Sequence, residues 1–475
     1  MSLIPNNEIK KHRSYDEAGY IFEWKGEIFR AIHPSHASHV RKLFECGLIA
    51  DLVEQRLFPI SAMTEYKTDD SELVVSHERI PVISIPGEWS FSMLRDAGLV
   101  ILRVNRIARK YGFQTIDAHG FNVTFRNGRP LYIDLGSFIP IANDIVSGDK
   151  GWRPYGEYCR SILAPLKLWS AGDSYFARQS LHGEQLPMTT YWRHRWSILR
   201  LLPLKLLRSF ESGFYRWKAL NTAPIDRFNM LMSVSAKRER LGKLILSLDK
   251  LRLLPFLGVD LDRLIQKTQS TAPPSIPSAW AAYHSGSEIT PRHKRILEII
   301  SAHGVQSILD MAGNAGFVSR LIASANPDIR IVCADYDENA IDVLYNSLKE
   351  TESNINPVLM NFSISISDTK FSPAWERFKS QQVMALALTH HLFLKQGMTI
   401  DFVMHRLSQY TNEFVMVEFM PMGLYSSAYD KLPQVPDWYN IEWFRNGFTK
   451  HFDLIHEEEV GLNRTLFFGR LKAPL

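Results

Sequence analysis

Cysteine, long apolar runs and repeats are all scarce in this 475-residue sequence. The three cysteines, Cys46, Cys159 and Cys333, lie far apart and show no paired spacing, which argues against a disulfide framework or a metal site and favours a reducing compartment. Nowhere do about twenty apolar residues follow one another, and the opening MSLIPNNEIKKHRSYDEAG lacks a signal-peptide core. We therefore expect a cytoplasmic protein that does not span a membrane.

Strong net charge is also lacking, but the positive charge is unevenly distributed. The formal net charge is only +5, and 45% hydrophobic with 22% charged residues is typical of a globular protein. Residues 193–252, however, carry 14 Lys and Arg against 4 Asp and Glu, interleaved with Leu, Trp and Phe. This pattern fits either peripheral contact with an anionic inner membrane or the solvated basic face of a helical bundle. No recognised motif frames the charge, so we expect no nucleic acid partner.

The length predicts more than one domain, and composition suggests where the chain divides. A stretch rich in Pro, Ser and Thr, QKTQSTAPPSIPSAW, predicts a linker at 266–280. Residues 1–149 read as an α+β domain with two hairpins and a long helix, and 150–265 as a basic helical segment. Residues 281–475 form the last domain.

In the last domain, strand-like and helix-like patterns alternate to the C-terminus. This order predicts the α/β class, with a parallel, doubly wound sheet covered on both faces. The final FDLIHEEEVGLNRTLFFGRLK instead reads as two strands joined by a short turn. We therefore expect a Rossmann-like sheet that ends in an antiparallel hairpin.

The stretch SILDMAGNAGFVSRLIASANPDIRIVCADYD, residues 307–337, contains the most informative motif. Asp310 and Asp335 end consecutive predicted strands, so both should lie at the same edge of the sheet. Gly313 and Gly316 let the chain turn sharply, and Asn314 tolerates a left-handed conformation. An acid at the end of the second strand is suitably placed to accept hydrogen bonds from ribose hydroxyls.

The spacing of the glycines distinguishes between two cofactor classes. A dinucleotide fold requires Gly-x-Gly-x-x-Gly, which is absent, whereas an acid at the strand end suits a ligand with a positive amino group. DMAGNAG resembles motif I of the class I S-adenosylmethionine-dependent methyltransferases. The resemblance implies that Asp310 and Gly316 lie beside the methionine moiety and that Asp335 holds the ribose. It assigns the following residues to the cofactor site: Asp310, Ala312, Gly313, Asn314, Gly316, Asp335, Tyr336 and Asn361.

The fourth strand of this domain, within VMALALTHHLFL, is followed by candidate catalytic residues. In the methyltransferase fold this strand end faces the transferred methyl group, and His390 or His391 would take the proton of an alcohol there. Glu418, at the end of the next strand, would orient a histidine or bind acceptor hydroxyls. The pair of strands resembles a bacterial methyltransferase group that includes nodulation-type proteins. We expect O-methylation of a glycan, a glycolipid precursor or a small hydroxylated metabolite, but the sequence does not identify the acceptor.

A second motif, TIDAHGFNVTFRNGRPLYIDLGSF, lies in the N-terminal domain. Asp117, His119, Asn122 and Asp134 resemble the catalytic segment of protein-kinase-like and aminoglycoside phosphotransferases. No Gly-rich phosphate loop precedes it, and Arg30 stands where the ATP-binding lysine is expected. Three interpretations remain open: a degenerate kinase-like lobe that binds acceptor or serves as a scaffold, an active phosphotransferase, and simple turn capping without a site.

Overall fold

The computed structural model describes residues 2–12, 17–141, 152–182, 260–274, 288–349, 351, 353–364, 371–425 and 434–473. Its contacts divide the chain into two compact units. Unit 1 comprises Met1–Val100, Phe121–Gly136 and Ile276–Leu475, and unit 2 comprises Ile101–Gly120 and Ser137–Ser275. This division cuts across the four segments expected from composition, whose boundaries stay predictions. The basic block 193–252 lies outside the described residues.

The N-terminal part of unit 1 contains a five-stranded antiparallel sheet with strand order β2-β3-β4-β7-β5. The predicted hairpin between β3 and β4 is confirmed, and it turns at Lys25 and Gly26, both with positive φ. Asn127 and Gly128 make the same kind of turn between β9 and β10. The strands of unit 1 up to this point are β1 (Ser2–Leu3), β2 (Lys10–Lys11), β3 (Gly19–Trp24), β4 (Glu27–Ile32), β5 (Ser61–Met63), β6 (Tyr66–Lys67), β7 (Leu73–His77), β9 (Val123–Arg126) and β10 (Arg129–Tyr132).

Helices α1 (Pro34–Glu45) and α2 (Leu48–Glu54) accompany this sheet, and the long helix α3 (Phe91–Lys110) follows it. The predicted long helix is thus confirmed, and 3₁₀ turns occur at Pro86–Glu88 and Gly120–Asn122. The mixture of strands and helices expected here is present. A kinase-like domain is not confirmed and stays a prediction.

Unit 2 is mainly helical in its described part. Strands β8 (Phe113–Thr115) and β11 (Phe138–Pro140) pair in antiparallel fashion. Helix α7 (Leu261–Gln269) begins with a cap from the Asp260 side chain. It extends into the segment 266–280 that was expected to be a linker. The helices after α3 are α4 (Tyr155–Tyr158), a π-helical turn (Cys159–Leu163), α5 (Ala164–Ser170), α6 (Ser174–Leu181) and α7 (Leu261–Gln269).

The C-terminal part of unit 1 is a seven-stranded sheet with the order β14-β13-β12-β15-β16-β18-β17. Its first five strands are parallel, and β18 runs antiparallel to both β16 and β17. The predicted Rossmann-like sheet with an antiparallel terminal hairpin is therefore confirmed. The strands are β12 (Ser307–Met311), β13 (Arg330–Asp335), β14 (Ile355–Leu359), β15 (Ser380–Ala385), β16 (Thr411–Phe419), β17 (Phe452–Gly461) and β18 (Arg464–Leu471).

Both faces of this sheet are covered, as expected for near-continuous apolar strands. Leu309 and Val332 belong to one buried cluster, whereas their strand neighbours Ile308 and Ile331 belong to another. The covering helices are α8 (Pro291–Ala302), α9 (Phe317–Ala325), α10 (Glu338–Leu348), α11 (Ala374–Arg377), the π-helical turn His391–Lys395, α12 (Ile400–Tyr410) and α13 (Ile441–His451). Among all described helices, none combines the length and apolarity that crossing a membrane requires.

Residues 82–96 tie the N-terminal part of unit 1 to this sheet. Arg377 forms a buried ion pair with Glu88, and its Nη1 also donates to the Ile83 carbonyl at 2.7 Å. The Asp342 carboxylate accepts from the Ser92 amide at 2.7 Å and from the Ser92 hydroxyl at 2.9 Å. This ion pair and these hydrogen bonds connect the N-terminal part of unit 1 to its C-terminal sheet, and both belong to the same compact unit.

Candidate active site

The loop between β12 and α9 turns through several left-handed residues. Ala312, Asn314 and Gly316 have φ values of 62°, 53° and 75°. Asparagine and glycine tolerate this region, but a left-handed alanine costs about 1–2 kcal/mol. Such strain is commonly retained where a chain must present its backbone to a ligand.

A side chain on Gly313 or on Gly316 would collide with a neighbouring residue, and the neighbour differs between the two positions. A Cβ on Gly313 would lie 2.7 Å from Asp310 Oδ2 and 2.5 Å from Cys333 Sγ, although its φ is not left-handed. A Cβ on Gly316 would lie 2.6 Å from Leu344 Cδ1. Glycine at these two positions keeps the loop pressed against the sheet edge.

Asp310 and Asp335 lie at the same edge, on adjacent parallel strands. Asp310 is in register with Cys333, and Asp335 is two residues further along β13, so all three side chains point to the same face. Burial raises the pKa of Asp310 to about 6, with a hydrogen bond from Ser319 opposing the shift and the charge of Asp335 adding to it. The two carboxylates are therefore electrostatic neighbours.

The Asp335 carboxylate also organises the loop. Its two oxygens accept from the backbone N–H groups of Asn314 and Asp337, each at 2.8 Å. Burial raises its pKa, and these hydrogen bonds oppose that effect. Tyr336, the next residue, is 67% exposed. Asn361, just beyond β14, accepts from the Ser363 amide and hydroxyl at 2.9 and 2.7 Å, and so caps its own turn.

The two candidate histidines follow β15, and their ring centroids are 4.2 Å apart. His390 is 6% exposed, and its Nδ1 has no hydrogen-bond partner among the described residues. Burial, with His391 and Arg464 adding to the effect, lowers the pKa of His390 to about 3. Burial lowers the pKa of His391 as well. Both rings are thus weaker bases than the near-neutral histidine that the sequence suggested.

Glu418 contacts two arginines rather than a histidine. Arg292 binds both carboxylate oxygens, and Arg464 Nη1 donates to Oε2 at 2.7 Å. The Ala387 amide donates to the same oxygen at 2.9 Å. Glu418 is fully buried, and although burial opposes the change, the arginines lower its pKa. Its geometry is that of a positioning residue, since neither His390 nor His391 is among its hydrogen-bond partners.

Sequence reasoning did not single out Arg292, Arg464 and Asn463, which lie at this edge of the sheet. Arg292 lies in the first turn of α8, and its charge acts on Asp310 as well as on Glu418. Because β18 is antiparallel, its first residue Arg464 lies at the edge where the parallel strands end. The predicted direction of the last strand was the one signal in the sequence that points to Arg464.

The candidate phosphotransferase residues are divided between the two units. Asp117 and His119 belong to unit 2, whereas Asn122 and Asp134 belong to unit 1. Within unit 1, Asn122 Nδ2 donates to the Tyr132 hydroxyl at 3.4 Å, and Asp134 accepts from the Gly136 amide at 3.1 Å. The latter contact is a local turn cap, so the kinase-like hypothesis gains no support from it.

Comparison with known proteins gives one sequence relative of interest. No family model matches the chain. Nodulation protein NoeA from Rhizobium meliloti strain 1021 is 24% identical over 444 residues, which cover 86% of this chain and 83% of that protein. The chain is similar to a nodulation protein. This agrees with the nodulation-type group that the strand motifs resemble.

The structural neighbours include S-adenosylmethionine-dependent methyltransferases. The match to the methyltransferase domain of bacterial CtHen1 covers 38% of this chain and 98% of that domain's chain, with 13% identity and a TM-score of 0.31. The N-methyltransferase NodS from Bradyrhizobium japonicum WM9 covers 38% and 95%, with 14% identity and a TM-score of 0.28. A methyltransferase from Clostridium acetobutylicum covers 41% and 96%, with 9% identity and a TM-score of 0.31. At such scores these likenesses carry no argument about function, which must rest on the site itself.

Proposed function

We propose that this protein is an S-adenosylmethionine-dependent methyltransferase that methylates a hydroxyl group. The observation that supports this most directly is the pair of carboxylates at the carboxyl ends of adjacent strands, the buried Asp310 and the half-buried Asp335, beside a glycine-containing loop. The sheet order reverses between β12 and β15, and ligands of doubly wound sheets bind at this switch point. As expected from the sequence, we take a glycan, a glycolipid precursor or a small hydroxylated metabolite as the acceptor class.

The residues at this edge fit such a cofactor. Asp310 is 2% exposed and accepts one hydrogen bond within the described part of the chain, from Ser319 at 2.6 Å, so its second oxygen can meet an ammonium group. The Asp335 oxygens accept backbone N–H groups, including those of Asn314 and Asp337, and the half-buried carboxylate keeps acceptor capacity for a ribose hydroxyl. The absence of a Cβ at Gly313 lets the loop backbone lie close to Asp310.

The histidines and the cofactor would have different tasks in the reaction. When bound, the cofactor would supply a methyl group on a sulfonium, which would pass to the acceptor oxygen in line as the bond from carbon to sulfur breaks and the neutral thioether leaves. A hydroxyl oxygen that is being alkylated becomes strongly acidic, so even a weakly basic imidazole can take its proton. Because its pKa is about 3, His390 stays neutral and keeps a lone pair at physiological pH. Glu418 would hold Arg292 and Arg464 in position beside the acceptor hydroxyl and His390.

Isothermal titration with S-adenosylhomocysteine tests the cofactor site without requiring the acceptor. We expect Asp310→Ala and Asp335→Ala each to weaken binding by at least about tenfold, because each removes a charged partner worth about 1.4 kcal/mol or more. Asp328→Ala is a matched control, since that aspartate lies in an exposed turn before β13. Unchanged affinity in both site variants would refute the cofactor assignment.

The proposed base is tested by turnover. An extract component that gains one methyl group only when S-adenosylmethionine is added would serve as the acceptor, detected by mass spectrometry. His390→Ala and His391→Ala are then compared separately with the wild type. If both variants keep full turnover while binding S-adenosylhomocysteine normally, neither histidine is the base.

A further inference from the structure

Four strand ends meet at one edge of the C-terminal sheet. The parallel strands β12, β15 and β16 end there, and the antiparallel β18 begins there, so Arg464 and Asn463 join the residues that follow the parallel strands. Asn463 is only 7% exposed. Its Oδ1 accepts from the Met422 amide at 2.6 Å, which fixes the direction of its side chain.

Around Glu418, two guanidinium groups share one carboxylate. Arg292 binds Glu418 through two nitrogens and so neutralises it. Arg464 shares the same carboxylate through Nη1, which is its one hydrogen-bonding nitrogen among the described residues. Nε and Nη2 of a guanidinium are donors that match a carboxylate or phosphate in shape. The side chain of Arg464 is 23% exposed, so part of it is open to solvent.

Two buried polar atoms near Arg464 lack partners in the described part of the chain. They are Nδ2 of Asn463 and Nδ1 of His390. A buried polar atom without a partner typically costs about 1–3 kcal/mol, so such atoms call for an explanation. Thr389, the residue before His390, donates to the Glu418 carbonyl at 2.6 Å, and Arg464 binds the carboxylate of the same Glu418 at 2.7 Å. Asn463 directly precedes Arg464 in the chain. A bound anion would satisfy the amide and the guanidinium, and an adjacent hydroxyl would satisfy the imidazole.

We propose that Arg464, Asn463 and His390 form a subsite for a methyl acceptor that carries a carboxylate or phosphate close to the hydroxyl that is methylated. Arg464 and Asn463 bind the anionic group, and His390 faces the hydroxyl. This inference rests on the proposed methyltransferase function. It narrows the acceptor from any hydroxylated molecule to an acidic one, such as an acidic sugar or a phosphorylated precursor.

The charge of the ligand can be tested with a matched pair of probes. Acetate and acetamide have nearly the same shape, but only acetate is charged. We propose saturation-transfer NMR on their methyl signals with the full-length protein, first alone and then with saturating S-adenosylhomocysteine. We expect transfer to acetate but not to acetamide in both conditions, and we expect inorganic phosphate to displace acetate.

Two variants assign the binding to this subsite. Arg464→Gln should weaken acetate binding by at least about tenfold, as expected for the loss of a charge-assisted pair. Asn463→Asp is a second variant of nearly equal shape that keeps the acceptor for the Met422 amide and leaves the Arg464–Glu418 ion pair in place. It should abolish acetate binding by repulsion while S-adenosylhomocysteine affinity stays within about twofold of the wild type.

Each result separates the possible sources of an anion site. If S-adenosylhomocysteine displaces acetate, the site holds the carboxylate of the cofactor, and the acceptor proposal is overturned. It is also overturned if acetate shows no transfer, or if both variants still bind acetate as the wild type does. If acetate binds as proposed but S-adenosylhomocysteine does not bind at all, the methyltransferase proposal fails while the anion site stands.

Discussion

Replacing Asp310 by Asn tests whether this buried carboxylate opposes folding while it serves ligand binding. The pKa of Asp310 is raised from its ordinary value of 3.8 to about 6, mainly by burial. A difference of about two pKa units corresponds to about 3 kcal/mol of unfolding free energy. Asn is nearly equal in shape and keeps an acceptor for the Ser319 hydroxyl, so the substitution removes the charge with little change in packing.

The sign of the effect follows from which state binds the proton more tightly. Because the folded pKa is the higher one, the folded protein holds the proton more strongly than the unfolded chain does. Ionisation of Asp310 therefore costs nothing below pH 3.8, costs progressively more as the pH rises to about 6, and reaches its full value above that. Asp310→Asn should escape this cost while losing affinity for the ammonium of S-adenosylhomocysteine.

Urea unfolding at two pH values measures the effect. At about pH 7.5 we expect Asp310→Asn to be more stable than the wild type by up to about 3 kcal/mol, and at about pH 4 by less than about 1 kcal/mol. Asp335→Asn is the matched control. Burial raises the pKa of Asp335 too, but its carboxylate accepts backbone N–H groups, and one of them would then face an amide NH₂, so this variant should be less stable than the wild type at both pH values. An Asp310→Asn variant that is less stable at about pH 7.5, or whose gain does not change with pH, would refute the electrostatic argument.

Two further predictions concern packing. Glu88→Gln should cost about 3–5 kcal/mol of unfolding free energy, because it leaves the 7%-exposed side chain of Arg377 without its counter-ion. The double change Glu88→Leu with Arg377→Leu should be nearly neutral in a urea titration. Equal losses in the single and double variants would contradict this prediction. Gly313→Ala should weaken S-adenosylhomocysteine binding by about tenfold in calorimetry. The added methyl group crowds Asp310 and Cys333, and overpacking of this kind destabilises the cofactor loop by about 1–3 kcal/mol. Gly304→Ala is its control for binding: a Cβ there meets nothing within 4 Å, and the strain of a left-handed alanine at φ 60° falls outside the cofactor loop. Equal affinities in the two variants would exclude a crowding effect.

The sequence by itself determined the features that depend on local pattern. The alternation of apolar strands and helices predicted the doubly wound sheet, and the acids that end consecutive strands placed Asp310 and Asp335 at one edge. Two hairpins were recognisable because Lys25-Gly26 and Asn127-Gly128 favour the left-handed turns that join antiparallel strands. These features need only a few neighbouring residues, so a single sequence contains them.

Tertiary structure alone decided the features that depend on distant residues. The start of β18 brings Arg464 to residues that precede it by more than 40 positions, and Arg292 reaches Glu418 from a helix 126 residues earlier. These contacts changed Glu418 from a suspected partner of the histidines into the carboxylate that holds two arginines. Burial likewise lowered the pKa of His390, which no local pattern reveals. Desolvation and charge pairing depend on what packs around a group, and that is fixed only when the whole chain has folded.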